Sequence, residues 1–299
     1  DRRDILNNEQ YVNTLIMISF FLAFLALSNS INAEDSSSYS SAQANTSLWL
    51  SAAAYCGSSS YKSHKFAGPT EGFVVTAIIE DLPSDTEGYI GYLPSDKSIY
   101  VTFRGSSSIR NWITNLDAVK TAYTSYSECG CQVHKGFYDA EQKVIGGILT
   151  EVKRLKSLST LSGYAVKTTG HSLGAALAQL TAMDLLKAGY SVAMYNFGQP
   201  RVGDKNFAAF ATSKLSTSRV THDKDIVPHI PVTAGMDFYH ACFEVFENAS
   251  GSVHTCSSSK DGTYCEDSTC ADQYQLAQTT VDDHLTYLGM SVSCAAVSV

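Results

Sequence analysis

Residues 165–188 read AVKTTGHSLGAALAQLTAMDLLKA, a short β-rich run followed by a glycine-bounded turn and an alanine-rich apolar segment. The turn, Gly170-His171-Ser172-Leu173-Gly174, matches the pattern G-x-S-x-G. Between a strand and a helix, this pattern forms a sharp turn that exposes a serine hydroxyl at the top of a sheet. The stretch therefore predicts a strand over 165–169, a helix over 172–188 and Ser172 as a candidate nucleophile. The alternative is a Gly-Ser turn that only caps the helix.

Three β-rich runs before this stretch form a meander-like start, and strand and helix patterns alternate after them. Further strands are predicted over 73–79, 89–93, 98–103, 192–197 and 218–221, and further helices over 45–55, 138–155 and 207–215. Strands that alternate with helices form right-handed βαβ units and a parallel sheet. The sequence therefore predicts the α/β fold class, with a mostly parallel central sheet flanked by helices.

Length and charge limit the other possibilities. The chain has 299 residues, which fits one large domain plus a leader. Its net charge of -8 argues against a nucleic-acid partner, because phosphate binding requires a basic surface. The apolar segment 15–27 is too short to span a membrane and is typical of a signal peptide. We predict a leader over 1–33, with translation starting at Met17, and a single domain over 34–299; a membrane anchor is the alternative.

Eight cysteines and two glycosylation sequons, at Asn45 and Asn248, fit an exported protein. The close pairs Cys129/Cys131 and Cys265/Cys270 lack the second half of a zinc motif, so no metal is expected.

An attacking serine needs a base to take its proton and a carboxylate to orient that base, in the chain order Ser, acid, His in this setting. Asp225 follows the second strand after the serine, and spacing alone does not separate it from Asp223; either could close an Asx turn. Of the later histidines, His284 is the best candidate base, at the mouth of a predicted short terminal helix. His240 lies in an apolar and aromatic run and is predicted to be a buried, hydrogen-bonded histidine.

The stretch from Phe103 to Ile113 begins where a strand ends, which is where an oxyanion hole draws its second donor. We assign the two donors to the backbone N–H groups of Ser106 and Leu173. One helical face beyond Ser106 is apolar, and Arg110 lies on the opposite face. The apolar positions are Ile109, Trp112, Ile113, Leu116 and Val119. Such a helix most often packs on a core, but its position beside an oxyanion residue favours a mobile lid that opens at a lipid surface.

Six stretches carry a resemblance to a known family. They are Tyr100–Ile113, His134–Phe137, Gly170–Gly174, Asn196–Asp204, Asp225–Pro231 and His284–Gly289. Through them the chain resembles the extracellular fungal triacylglycerol lipases of the class 3 family, the Rhizomucor type, over roughly 48–294. The resemblance implies an α/β-hydrolase fold with a short helical lid. It also implies that the acid is Asp225 rather than Asp223, that His284 is the base, and that Ser106 and Leu173 are the oxyanion donors.

The same resemblance implies several finer features. Arg110 would hold the open lid through a carboxylate, for which Asp85 is the matching position. A disulfide would join Cys56 to Cys294. Relatives have a short disulfide loop at Cys129 and Cys131, where only one residue separates the two cysteines here; two free thiols are the alternative. Ala118 replaces an aromatic residue that lines the acyl groove of some relatives, so acyl-length preference does not carry over.

These features together predict a secreted, monomeric lipase that needs no cofactor and hydrolyses lipid esters at an oil–water interface. Val227, Ile230 and Leu285 flank the acid and the base and are expected to form the acyl wall. The alternatives on the same scaffold are a feruloyl esterase, a partial-glyceride lipase and a phospholipase A1. Trp112 within an apolar stripe favours an enzyme that acts at interfaces. The alternative of another class is a secreted lipid-binding protein without catalysis.

Overall fold

An eight-stranded sheet lies at the centre of the structure, a computed structural model that describes residues 39–256 and 266–298. The strand order is β1-β2-β3-β6-β7-β8-β9-β10. Its strands are β1 (Val74–Asp81), β2 (Thr86–Leu93), β3 (Ser98–Phe103), β6 (Ala165–His171), β7 (Val192–Phe197), β8 (Ser216–His222), β9 (Glu244–Glu247) and β10 (Val253–Thr255). From β3 to β9 all neighbouring strands are parallel, whereas β1, β2 and β10 pair antiparallel with their neighbours. The sheet thus has the mostly parallel α/β architecture that the alternation predicted.

Helices cover both faces of this sheet. They are α1 (Ser41–Ala53), α2 (Ile109–Asn115), α3 (Lys135–Ser157), α4 (Leu173–Lys187), α5 (Lys205–Lys214) and α6 (Cys294–Val297). Side chains alternate between the two faces along a strand, and β6 shows which helix lies on each. Val166 belongs to the apolar core with residues of α3 and α4, whereas Thr169 bonds to Ser51 of α1 through their hydroxyl oxygens, 2.9 Å apart.

Two small hairpins lie outside the main sheet. β4 (Lys120–Ala122) pairs antiparallel with β5 (Gln132–His134), and β11 (Thr286–Tyr287) pairs with β12 (Met290–Ser291). The second hairpin corrects the prediction of a helix that starts at His284. His284 lies in a single 3-10 turn, Asp283–Leu285, and the chain then turns back as a hairpin. Gly289 has a φ of 74° at that hairpin turn, a conformation that favours glycine and does not continue a helix.

Strands β9 and β10 were not predicted, and β9 shows the physical reason. Glu244 and Glu247 begin and end it, yet both are only 3% exposed. Arg219 pairs with Glu244 at 3.1 Å, and the Thr221 hydroxyl donates to the same carboxylate at 2.7 Å. A buried charge needs such partners, which come from β8 and are not visible in the pattern of β9 itself.

The described disulfides include the long-range one expected from the resemblance, Cys56–Cys294. Cys129 pairs with Cys131 despite the single intervening residue, and Cys256 pairs with Cys270. Cys242 is also disulfide-bonded, and Cys265 lies outside the described residues. The predicted leader over 1–33 lies outside them as well. Within the two described ranges, none of the helices is both long and apolar enough to span a membrane.

Candidate active site

Ser172 occupies the turn between β6 and α4. Its backbone has φ 59° and ψ -131°, a conformation that costs a non-glycine residue energy and is found mainly at functional sites. The flanking glycines allow it. A Cβ on Gly174 would lie 2.6 Å from the carbonyl oxygen of Phe103, and one on Gly170 would collide with the carbonyl oxygen of Gly174. Residues 170–174 therefore form the strained strand-to-helix turn predicted from the sequence.

Asp225 and His284 form a buried pair. His284 Nδ1 lies 2.7 Å from Asp225 Oδ2, and the two side chains are at most 1% exposed. The backbone N–H of Val227 donates to Asp225 Oδ1 at 2.7 Å, and the Tyr287 hydroxyl donates to Oδ2. Asp223, the rival in the sequence, instead accepts a hydrogen bond of 2.8 Å from the Tyr274 hydroxyl. The contacts thus separate the two aspartates, which spacing did not.

The surroundings of Asp225 favour its charged form. Burial alone raises the pKa of a carboxyl group, but the neighbouring His284 and the hydrogen bonds from His284, Tyr287 and Val227 outweigh it, so the pKa of Asp225 lies below its ordinary value. An ionised Asp225 can accept the Nδ1 proton of His284, which leaves Nε2 as the free basic nitrogen. Backbone hydrogen bonds join the segment around Asp225 to the segment that precedes His284. Ile226 N donates to Thr280 O at 3.1 Å, and Thr280 N donates to Lys224 O at 2.7 Å.

Two atoms of this site have no hydrogen-bond partner among the described residues, namely Ser172 Oγ and His284 Nε2. The serine–histidine hydrogen bond is therefore not formed in this arrangement. His284 nevertheless lies beside the turn, since its ring centroid is 4.3 Å from that of His171, and its carbonyl oxygen is 2.8 Å from His171 Nε2. Hydrogen bonds of this kind are often long in a free enzyme and shorten when substrate binds.

The segment that carries Ser106 runs next to Ser172. A Cβ on Gly105 would lie 2.7 Å from the carbonyl oxygen of His171 and 3.0 Å from Ser172 Cβ. Arg104 fixes this segment, because its guanidinium binds Glu87 at 2.9 Å and Asp85 at 2.5 Å. Ser106 is 6% exposed, and Leu173 is the first residue of α4, directly after Ser172.

Comparisons with known proteins show the family of this chain. Residues 100–235 match the family model of lipase (class 3). A solved Rhizomucor miehei triacylglyceride lipase is 34% identical, with a TM-score of 0.75, over 84% of this chain and 95% of that one. The chain belongs to the class 3 lipase family. The curated Rhizomucor miehei lipase is 36% identical over 230 residues, and the secreted mono- and diacylglycerol lipase 1 of Fusarium solani is 38% identical over 161 residues. These matches span 74% and 52% of this chain, but only 60% and 47% of the two relatives' lengths.

Several supporting residues of this class 3 lipase site were missed in the sequence. The Tyr55 hydroxyl lies 2.6 Å from His171 Nδ1, which joins the 3-10 turn after α1 to the Gly170–Gly174 turn. Burial and the neighbouring His284 lower the pKa of His171 to about 3, so His171 is neutral and can donate through Nε2 to the carbonyl of His284. Gly198, with φ 57°, leaves room for the His284 ring, because a Cβ there would lie 2.7 Å from Cε1.

The predicted lid helix is α2. Its apolar residues Ile109, Trp112 and Ile113 and the following Leu116 are half-buried, whereas the polar positions of α2 are exposed. The predicted stripe is wrong at Val119, which lies beyond the helix and is 51% exposed. Arg110 forms an exposed ion pair with Asp282 at 2.9 Å, and Asp85 binds Arg104. The expected Arg110–Asp85 pair is therefore absent from this arrangement, in which Ser172 is inaccessible to solvent.

The residues expected to form the acyl wall lie on the segments that carry the acid and the base. Val227 is fully buried, Ile230 is half-buried, and Leu285 is 37% exposed beside the buried His284. Val227 also contacts the site through its backbone, as the donor to Asp225 Oδ1. His240 is buried, with Nε2 2.8 Å from the carbonyl oxygen of Pro228, as predicted.

Proposed function

We propose that this class 3 lipase family member hydrolyses the ester bonds of acylglycerols, with Ser172 as nucleophile, His284 as general base and Asp225 as the orienting acid. One observation carries the proposal. A buried Asp225–His284 hydrogen bond of 2.7 Å lies beside a strained serine turn, and the serine oxygen and the second histidine nitrogen are both unpaired. Buried polar atoms normally have partners, so an unpaired oxygen and nitrogen at one site favour a reactive pair over a structural one.

The chemistry follows from these positions. Ser172 Oγ attacks the ester carbonyl carbon while His284 Nε2 takes its proton. The negative oxygen of the tetrahedral intermediate accepts hydrogen bonds from the backbone N–H groups of Ser106 and Leu173, near the positive end of the α4 dipole. The C–O bond to the alcohol then breaks, and His284 returns the proton to the leaving alcohol. A water molecule, deprotonated in the same way, releases the fatty acid and restores Ser172.

We assign the preference for a lipid surface to α2. In the described arrangement Ser172 is inaccessible to solvent, so substrate entry requires part of the surrounding structure to move. We assign that movement to α2, whose Arg110 pairs with Asp282, two residues before His284. That movement exposes the apolar side chains Ile109, Trp112 and Ile113, which water disfavours and a lipid surface accepts. Val227, Ile230 and Leu285 then line the path of the acyl chain. The disulfides and the secreted relative support export of this chain.

The first test is Ser172→Ala. We expect loss of ester hydrolysis by at least about a thousandfold, with unchanged folding, because the nucleophile is removed but its surroundings are kept. Hydrolysis of emulsified triglyceride is measured alongside covalent labelling by a fluorophosphonate. Asp223→Asn is the matched control to Asp225→Asn, since only the second aspartate contacts His284. Normal turnover in Ser172→Ala would refute the assignment.

The second test is a substrate panel of triglyceride, monoglyceride, phosphatidylcholine and methyl ferulate. We expect the acylglycerols to be hydrolysed fastest, with a rise in rate above the solubility limit. A rate highest on methyl ferulate or phosphatidylcholine would instead support an esterase or a phospholipase on the same scaffold. Failure of the wild-type protein to label or to hydrolyse any ester would support a lipid-binding protein.

A further inference from the structure

The two ends of the lid helix α2 are held in different ways. Before the helix, Asp85 binds Arg104 at 2.5 Å and accepts a hydrogen bond of 3.2 Å from the Ser107 hydroxyl. After the helix, the contact is made by the backbone. The carbonyl oxygen of Asp117 lies 2.7 Å from His134 Nε2. The first end is thus held by an exposed carboxylate, and the second by a histidine that is only 3% exposed.

His134 is bonded at both ring nitrogens. It is the last residue of β5 and precedes α3, where its Nδ1 accepts the backbone N–H of Phe137 at 3.3 Å. Because Nδ1 is an acceptor, the ring proton is on Nε2, which then donates to the Asp117 carbonyl. Burial lowers the pKa of His134, although the hydrogen bond and charge of Asp117 act in the opposite direction. The ring is therefore held in one tautomer by the start of α3.

The same ring also supports the aromatic residue of the lid. His134 stacks on Phe137 with ring centroids 3.9 Å apart and an interplanar angle of 19°. Phe137 in turn stacks with Trp112 of α2 at 6.2 Å and 22°. The contacts to Asp117 and Trp112 thus converge on one rigid position at the start of α3.

The chain after Asp117 is already fixed. The carbonyl of Val119 accepts the N–H of Lys135 at 2.8 Å, and Lys120 is paired with His134 in the β4–β5 hairpin. Lys120 Nζ also lies 3.0 Å from Asp237 Oδ2. The segment that can move with α2 therefore ends near Asp117, where His134 binds it.

We propose that His134 is a positioning residue that sets the closed position of α2, by holding the Asp117 carbonyl and by supporting Trp112 through Phe137. This inference rests on the proposed function, in which α2 opens to admit substrate. Loss of the His134–Asp117 hydrogen bond shifts the equilibrium toward the open arrangement without changing the chemistry at Ser172. The hydrogen bond of 2.7 Å is to the Asp117 carbonyl, and Asp117 Oδ1 lies farther from His134 Nε2, at 3.4 Å. Asp117→Asn therefore keeps the hydrogen bond to the carbonyl and removes only the charge beside it.

Three variants test this inference. His134→Leu removes the donor and keeps much of the volume, His134→Gln keeps a donor near the position of Nε2, and Asp117→Asn removes only the charge. The first measurement is the rate of fluorophosphonate labelling of Ser172 in buffer without lipid, which reports access to the nucleophile. The second is acrylamide quenching of Trp112 fluorescence in a Trp49→Phe background, because the sequence has only these two tryptophans. Circular dichroism and urea unfolding confirm that each variant is folded.

We expect labelling of His134→Leu to be about five- to tenfold faster than wild type, the effect of one lost hydrogen bond on an opening equilibrium. His134→Gln and Asp117→Asn should label within about twofold of wild type. The jump in rate at a lipid interface should shrink in His134→Leu, with kcat on emulsion unchanged. Wild-type labelling by His134→Leu, or equal acceleration in all three variants, would overturn the inference. If the wild type does not label, the assignment of Ser172 as nucleophile fails, and Trp112 quenching alone tests the role of His134. Greater quenching in His134→Leu than in wild type would then support that role, and equal quenching would contradict it.

Discussion

His171 shows how a single buried side chain makes stability depend on pH. It lies between the Tyr55 hydroxyl and the carbonyl of His284, and its pKa of about 3 compares with an ordinary value of 6.5. The unfolded chain therefore binds a proton below pH 6.5 that the folded protein does not bind. The stabilisation by neutral His171 is complete above pH 6.5 and is lost as the pH falls from 6.5 toward 3, by up to about 1.4 kcal/mol per pH unit.

We predict that His171→Gln is less stable than wild type at pH 7 and that this difference narrows as the pH falls to 4. Urea unfolding at pH 7, 6, 5 and 4 measures it. His254→Gln is the control, since the His254 side chain is exposed, and it should change the free energy of unfolding at pH 7 far less than His171→Gln does. A constant difference between His171→Gln and wild type across this range would show that His171 is not kept neutral by the fold.

The residues of the candidate site show which individual roles the sequence could predict. Ser172 could be predicted because its turn requires glycines at fixed positions, and those are visible locally. Asp225 and Asp223 could not be separated by spacing, because the difference is a contact to His284, 59 residues away. Tyr55 was missed for the same reason, since it is 116 residues from its partner His171.

At the scale of elements, helix α3 contains two glycines that lower its stability and that no close contact requires. Gly146 and Gly147 lie in the interior of this 23-residue helix, and a Cβ on either would meet no atom within 4 Å. Glycine in a helix interior is less favourable than alanine by about 0.5 to 1 kcal/mol. We predict that Gly147→Ala stabilises the protein by about that amount, measured by urea unfolding. Gly170→Ala is the opposite control, because its Cβ would collide with the Gly174 carbonyl. Destabilisation by Gly147→Ala would contradict the open space beside α3.

Elements were predictable where local pattern and burial agree. The predicted bounds of β3 and β7 match the structure, because their residues alternate or run apolar between turn residues. The helix predicted over 138–155 begins at Lys135 instead, since the His134 side chain caps it through Phe137 N, which residue pattern alone does not show. The apolar face predicted for the lid helix extended to Val119, beyond the end of the helix at Asn115, because apolar periodicity does not show where a helix ends.

At the scale of the whole molecule, parallel strands place the site. Ser172 follows β6, and Asp225 lies three residues beyond β8, so both lie at the carboxyl ends of parallel strands in one sheet. This part of the site followed from topology. The position of His284 did not, because a 3-10 turn and the Asp225–Thr280 bridge bring it to that edge, and neither has a distinctive sequence pattern.

The Cys56–Cys294 disulfide links the segment after α1 to α6 across 238 residues of chain. In the chain-entropy model, closing so long a loop stabilises the folded state by about 5 kcal/mol, because the unfolded chain loses that freedom. We predict that the double variant Cys56→Ser/Cys294→Ser unfolds roughly 10 to 20 °C lower than wild type. Thermal unfolding without reductant measures this. Cys129→Ser/Cys131→Ser is the matched control, since that disulfide closes a loop around a single intervening residue and should change the midpoint far less. Equal shifts for the two double variants would show that loop closure is not the source of the stabilisation.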